Sequence, residues 1–223
     1  GQMYDYYLDP NGGLYGLQQA NKKLHAMYNP VDGMLMVANH NYNPRHDLMI
    51  QAKVYDFNGK DTLALQWIVE VGPTTVQKIQ TIKRTLDGFT SAQGGFLNIR
   101  LFSDANTIID DNFYWIPDSA GNYSGLQIMQ EAELRIFATR ESEDRIKVKL
   151  ENPQDEPLAF FNRLSLVDKI SKKRILPVFY SENYVSILPG EEKIIYIDCS
   201  KIDSNCELSI SGWNLNERYI DIK

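Results

Sequence analysis

Carboxylates, imidazoles, thiols and turn-borne aromatic rings are the side chains here whose types and spacing could do chemistry or hold a ligand. Two carboxyl groups divide acid and nucleophile roles when they stand about 5–5.5 Å apart and one is held protonated. Glu131 and Glu133 are the nearest pairing of that kind, yet Ala132, Leu134, Ile136 and Ala138 alternate with Glu131, Glu133 and Arg135, which puts both acids on a strand's solvent face. They read as a solvated edge, because unpaired carboxylates are seldom buried. Asp5 stands between Tyr4 and Tyr6, and aspartate's habit of bonding its own backbone favours a loop cap over a ligand contact. His40 and His46, with His25 upstream, lack the cysteines and short spacings of zinc sites and read as surface or packing groups. No catalytic residue, metal site or cofactor is therefore assigned. Cys199 and Cys206 would bridge in an oxidising compartment or stay reduced and buried, since sequence separation does not fix Cα geometry. Tyr180 and Tyr184 flank Ser181-Glu182-Asn183 at an expected turn, where they would form an aromatic platform or pack with their polar tips in water. The charged run from Lys169 to Arg174 reads as a solvated hairpin tip.

The elements that must position these groups are strands. Alternation recurs in Ile146, Val148 and Leu150 against Arg145, Lys147, Lys149 and Glu151, and in Leu63, Leu65, Trp67, Val69 and Val71. Asn58-Gly59 between the runs 48–57 and 63–71 predicts a tight antiparallel hairpin, and Gly72-Pro73 ends the second strand. Strands are further expected over 34–38, 75–79, 96–102, 107–115, 158–167, 175–180, 193–198, 207–211 and 217–222. Turn residues between them give the spacing of β-sandwiches, not of alternating βα units. A polar turn at Pro117-Asp118-Ser119-Ala120-Gly121-Asn122 suggests a boundary between two sandwich-sized halves. Residues 12–24 break the pattern: Leu14, Leu17 and Leu24 share a helical face with Asn21, which predicts a short helix. Composition agrees with a packed, ordered protein. The 223 residues are 43% hydrophobic and carry a net charge of −6, and 2 cysteines and 14 glycines exclude a disulfide scaffold and a collagen. No apolar run approaches the roughly 18 residues of a membrane span, so neither a membrane nor nucleic acid is expected as a partner of this acidic chain.

The stretch Tyr4-Asp5-Tyr6-Tyr7-Leu8-Asp9-Pro10-Asn11-Gly12-Gly13-Leu14-Tyr15-Gly16, continuing through Ala20-Asn21-Lys22-Lys23-Leu24-His25, resembles the end of the catalytic barrel in glycoside hydrolase family 2. The exo-β-glucosaminidase branch is the nearest in look, with β-mannosidases behind it. Asn112-Phe113-Tyr114-Trp115, then 176–184 with Leu188-Pro189-Gly190-Glu191, then Ser211-Gly212-Trp213-Asn214 follow in the family's order. Glu182, where the family pattern has aspartate, and a short link after Trp115 depart from it. The resemblance implies an all-β chain of two immunoglobulin-like β-sandwich domains, preceded by a helical remnant of a (β/α)8 barrel. Residues 1–26 would be the barrel's tail, with sandwiches over 27–117 and 118–223. It also implies that the catalytic carboxylates lie upstream and that Tyr4, Asp5 and Tyr6 approach substrate in the full-length parent. The implied partners are the upstream barrel of the same polypeptide and a carbohydrate, in a periplasmic or extracellular setting. The opening Gly1-Gln2-Met3-Tyr4 reads as a processed or cut end. A free-standing sandwich module binding carbohydrate or protein is the rival reading.

Overall fold

The structure is a computed structural model and describes residues 3–90, 93–103, 107–200 and 202–223. Two compact units divide the chain: Gln18–Met129, and Gln130–Lys223 together with Leu17 and the residues before it.

Among the described residues, seven strands build the Gln18–Met129 unit: β1 (Leu24–Asn29), β2 (Met34–Asn39), β3 (Arg45–Tyr55), β4 (Asp61–Val71), β5 (Thr75–Thr81), β6 (Gly95–Phe102) and β7 (Ile108–Ile116). They form two antiparallel sheets, ordered β1-β2-β5 and β4-β3-β6-β7. Inward positions close the core: Leu35 and Val37 from one sheet, and Ile50, Ala52, Leu97, Ile99 and Leu101 from the other, are at most 1% exposed. The period-two pattern thus has its expected cause, one face of each sheet removed from water. The expected hairpin pairs β3 with β4. Its turn, however, runs through Phe57 and Asn58, and only Gly59 takes a positive φ, of 85°. Asp56 Oδ1 accepts the Asn58 and Lys60 N–H groups at 2.9 Å, fixing a longer loop closed by a left-handed glycine.

The helix expected over 12–24 is shorter. Helix α1 spans Gly12–Ala20, and Leu24 already begins β1, because burial of His25 and Ala26 against β7 outweighs helical continuation. A second helix, α2 (Lys83–Thr90), and strand β1 are elements the periodicity did not predict.

In the other unit, β8 (Arg135–Arg140), β9 (Arg145–Glu151), β13 (Glu192–Cys199) and β11 (Val178–Tyr180) form one sheet, ordered β11-β13-β9-β8. The facing sheet, β12-β10-β14-β15, contains β10 (Ala159–Asp168), β12 (Val185–Ile187), β14 (Cys206–Ser211) and β15 (Arg218–Asp221). Two facing antiparallel sheets of this size make each unit an immunoglobulin-like sandwich, as the strand spacing predicts. The inward residues Ala132, Leu134, Ala138, Ile146, Val148 and Leu150 are all buried. Tyr15 of α1 joins them in the same core.

Candidate functional site

Near the N-terminus the chain folds back on itself, with Tyr4 bridging antiparallel to Pro10. Asp5 holds this loop. Its N–H donates to the Asp9 carbonyl at 3.1 Å, and its Oδ1 accepts the Tyr7 and Asp9 N–H groups at 2.8 and 3.0 Å. The cap expected of Asp5 is therefore present. Tyr6 stands at the loop's tip, 90% exposed and edge-on to Tyr7 with ring centroids 5.2 Å apart.

Beyond the loop, Asp9 binds the sandwich formed by Gln130–Lys223. Arg163 Nη2 donates to Asp9 Oδ2 at 2.6 Å, and Arg174 Nη1 donates to the same oxygen. Arg163 also lies 5.7 Å from the Tyr184 ring centroid, a cation–π distance. Tyr184 packs on Phe161 at 5.2 Å and on Tyr15 at 6.0 Å. Both Tyr184 and Phe161 hold left-handed backbones, with φ of 56° and 54°, a conformation bulky side chains avoid. Two local devices impose it. The β10–β12 register shifts between Ala159 and Asn162, displacing Phe161 as a bulge. Asn183 Oδ1 accepts the Leu164 and Tyr184 N–H groups at 2.8 and 2.9 Å, while its Nδ2 donates to the Leu164 carbonyl at 2.9 Å. The rings then meet α1 so closely that a Cβ on Gly12 would lie 3.2 Å from Phe161 Cζ.

These contacts enclose a cleft of about 340 Å³ lined by Tyr4, Asp5, Asp9, Arg163, Arg174 and Tyr184. Tyr4, Asp5 and Tyr184, singled out from opposite ends of the sequence, meet here. Tyr180 does not: it is a core residue, 9% exposed, whose hydroxyl accepts the Leu166 N–H at 2.9 Å. The inward phase of β11 turns Tyr180 inside, and burial raises its phenol pKa above the ordinary value. Asp9, Arg163 and Arg174 had no motif to announce them; a basic run read as a solvated tip supplies one of the two guanidinium groups. Chemically, the cleft offers anchoring and hydrogen-bond groups of both signs. Asp5 is fixed by its own loop and Asp9 by two arginines, so the two do not form an acid–nucleophile pair.

Elsewhere, Glu131 and Glu133 are exposed as expected, but not on a strand: β8 begins only at Arg135, and Glu131 accepts a hydrogen bond from Asn216. Cys199 and Cys206 are buried and are not joined in a disulfide, and burial pushes the Cys206 thiol pKa up. Among the described residues no three His, Cys, Asp or Glu groups are gathered as a metal ion would need, and no helix is long and apolar enough to cross a membrane. His40 and His46 are not among the cleft's lining residues; His46 Nδ1 stands 3.5 Å from Glu70. His25 instead joins a buried polar cluster in the Gln18–Met129 unit. Asp110, with a fully buried side chain, accepts the Ala26 N–H at 2.8 Å, Asn112 Nδ2 at 2.7 Å, Lys22 Nζ at 3.0 Å and Gln19 Nε2 at 3.2 Å. His25 Nδ1 is 2.9 Å from Asp110 Oδ2 but off the line of a good hydrogen bond. The signal for this cluster was a polar run, Asp110-Asp111-Asn112, interrupting an apolar strand and placing Asp110 and Asn112 on the same face.

Residues 112–215 match the exo-beta-D-glucosaminidase Ig-fold domain family. That stretch belongs to this family. Its span holds the Asn112-Phe113-Tyr114-Trp115, 176–184, 188–191 and 211–214 motifs, along with Arg163 and Arg174. The whole chain is similar to an exo-beta-D-glucosaminidase of Arthroderma benhamiae, 25% identical over 239 residues that cover 98% of this chain and 26% of the relative. A mannosylglycoprotein endo-beta-mannosidase of Lilium longiflorum is also 25% identical, over 288 residues covering 100% of this chain and 30% of the relative. Among solved structures, the exo-chitosanase of Amycolatopsis orientalis shares the fold with a TM-score of 0.82 at 22% identity, over 99% of this chain and 29% of that one. The glucosaminidase Ig-fold domain and its flanking segments thus span a quarter to three tenths of the enzymes they resemble.

Proposed function

We propose that this chain is the non-catalytic C-terminal scaffold of a retaining exo-β-glycosidase, whose parent removes a terminal β-linked glucosamine or mannose outside the cytoplasm, in a periplasmic or extracellular setting. On this reading the segment up to residue 26 is the tail of an upstream catalytic barrel, and the sandwiches over 27–117 and 118–223 buttress it. One observation carries the reading: the stretch that resembles the barrel's end is gripped by the glucosaminidase-type sandwich, through Asp9 on Arg163 and Arg174 and through Tyr15 in the hydrophobic core. Helix α1 also leaves Leu17 47% exposed on a face away from Tyr15, which suits a further layer supplied by the same polypeptide.

Hydrolysis with retention needs two carboxyl groups across the scissile bond, and none of the acids described above is so placed. The purified chain should therefore release no p-nitrophenol from p-nitrophenyl β-D-glucosaminide or β-D-mannoside above a buffer blank, whereas the longer polypeptide should turn over one of them. Turnover by the chain alone would falsify the scaffold reading.

A further inference from the structure

We propose that the cleft lined by Tyr4, Asp5, Asp9, Arg163, Arg174 and Tyr184 is a binding subsite for one sugar ring. The lining has the two chemistries such a ring needs. Pyranose C–H faces are apolar and stack on aromatic rings, and Tyr4, 40% exposed, supplies such a face, while Tyr184, packed on Phe161 and Tyr15, walls the cleft and holds the Arg163 guanidinium over its ring. Hydroxyl groups both donate and accept, so they are recognised by acceptors and fork donors set side by side. Asp5 uses Oδ1 for its own loop, and its second oxygen takes no hydrogen bond from the described residues. Arg174 spends one nitrogen on Asp9, and its remaining side-chain N–H groups meet no acceptor among the described residues. Two carboxylates and two guanidinium groups leave the cleft with no net charge, which fits an uncharged polyol better than an anion. Its volume of about 340 Å³ lies at the small end of ligand pockets, the scale of one ring and not of a chain.

The site is also built, not incidental. Strained backbones at Tyr184 and Phe161 are held by a bulge and by the Asn183 side chain, and the result is that ring and guanidinium groups converge on one concavity. The choice of sugars to try rests on the glycosidase reading above; the cleft itself does not.

Calorimetry and saturation-transfer NMR on the 223-residue chain with D-mannose, D-glucosamine and methylammonium test the proposal. Saturable binding of at least one sugar is expected, with transfer strongest at ring C–H protons. Arg174→Gln, which leaves Arg163 on Asp9, and Tyr4→Ala should each weaken it about tenfold, the loss expected for one charge-assisted hydrogen bond or one stacking face. Tyr184→Phe keeps the packing and tests the hydroxyl alone. Circular dichroism melts superimposable on wild type would make any loss local to the cleft. No saturable binding of either sugar would overturn the proposal. So would binding unchanged in both Arg174→Gln and Tyr4→Ala, or methylammonium binding as well as glucosamine, since a bare cation would then be all that is read. Catalysis by the longer polypeptide alongside an empty cleft would remove this inference and leave the scaffold reading standing. Turnover by the chain alone would do the reverse.

Discussion

Replacing Asp110 with alanine will lower the unfolding free energy of the Gln18–Met129 unit by about 3 kcal/mol, the low end of the range for removing one partner of a buried ion pair. The carboxylate has no solvent exposure and gathers donors from Gln19, Lys22, Ala26 and Asn112, with His25 alongside. Without it, the Ala26 N–H and the Asn112 amide lose a buried acceptor, and each such loss costs about 1–3 kcal/mol. Lys22 is 39% exposed and can turn to water, which keeps the total from rising further. The neighbouring residue is the control. Asp111 points to the outer face, 29% exposed, with Arg100 and Asn98, and Asp111→Ala should cost no more than about 1 kcal/mol. Urea unfolding read by Trp67 and Trp115 in a Trp213→Phe background separates this unit from the other. Equal midpoints for the two variants would refute the assignment.

The same carboxylate sets an acid limit. Burial alone would raise the pKa of Asp110, but the adjacent His25 imidazole, the hydrogen bond from the Ala26 N–H and the Lys22 ammonium outweigh it and hold the pKa below the ordinary value. A depressed folded-state pKa contributes stability that is complete above the unfolded value, about 3.9, and is lost as pH falls through the folded one. The gap between wild type and Asp110→Ala should therefore be constant near neutrality and close only below about pH 4.

Strand phase was legible in the residues because burial on one face of a sheet enforces it: Ala138, Ile146, Val148 and Leu150 all point where alternation sends them. Short or hybrid elements were not. Strand β12 has three residues, too few to show a period, and β1 follows α1 so closely that Leu24 fits either pattern. Tyr180 and Tyr184 show the same limit within one motif. Both flank the turn, and only the inward phase of β11 and the left-handed backbone at Tyr184 decide that one ring enters the core and the other lines a cleft. Asp9, Arg163 and Arg174 are separated by up to 165 residues, and no local pattern encodes a pairing over that distance.

Truncating Tyr15 to alanine should cost about 3 kcal/mol and release α1 from its sandwich, because little else makes this segment helical. Nine residues with three glycines, GGLYGLQQA, are far below the length at which a helix stands alone in water. The ring is 8% exposed and packs with the buried core residues of the Gln130–Lys223 unit. Tyr15→Phe, which keeps the ring and removes only the hydroxyl, should cost no more than about 1 kcal/mol. Amide hydrogen exchange over residues 12–17 is the direct readout: protection should vanish in Tyr15→Ala and persist in Tyr15→Phe. Leu17 then turns the same helix into a test of the scaffold. Being 47% exposed, it should tolerate alanine in the 223-residue chain within about 0.5 kcal/mol. In the longer polypeptide, where a barrel would cover that face, Leu17→Ala should create a cavity and cost about 2 kcal/mol or more. If the substitution is equally harmless in both settings, α1 is not the seam between the sandwich and an upstream barrel.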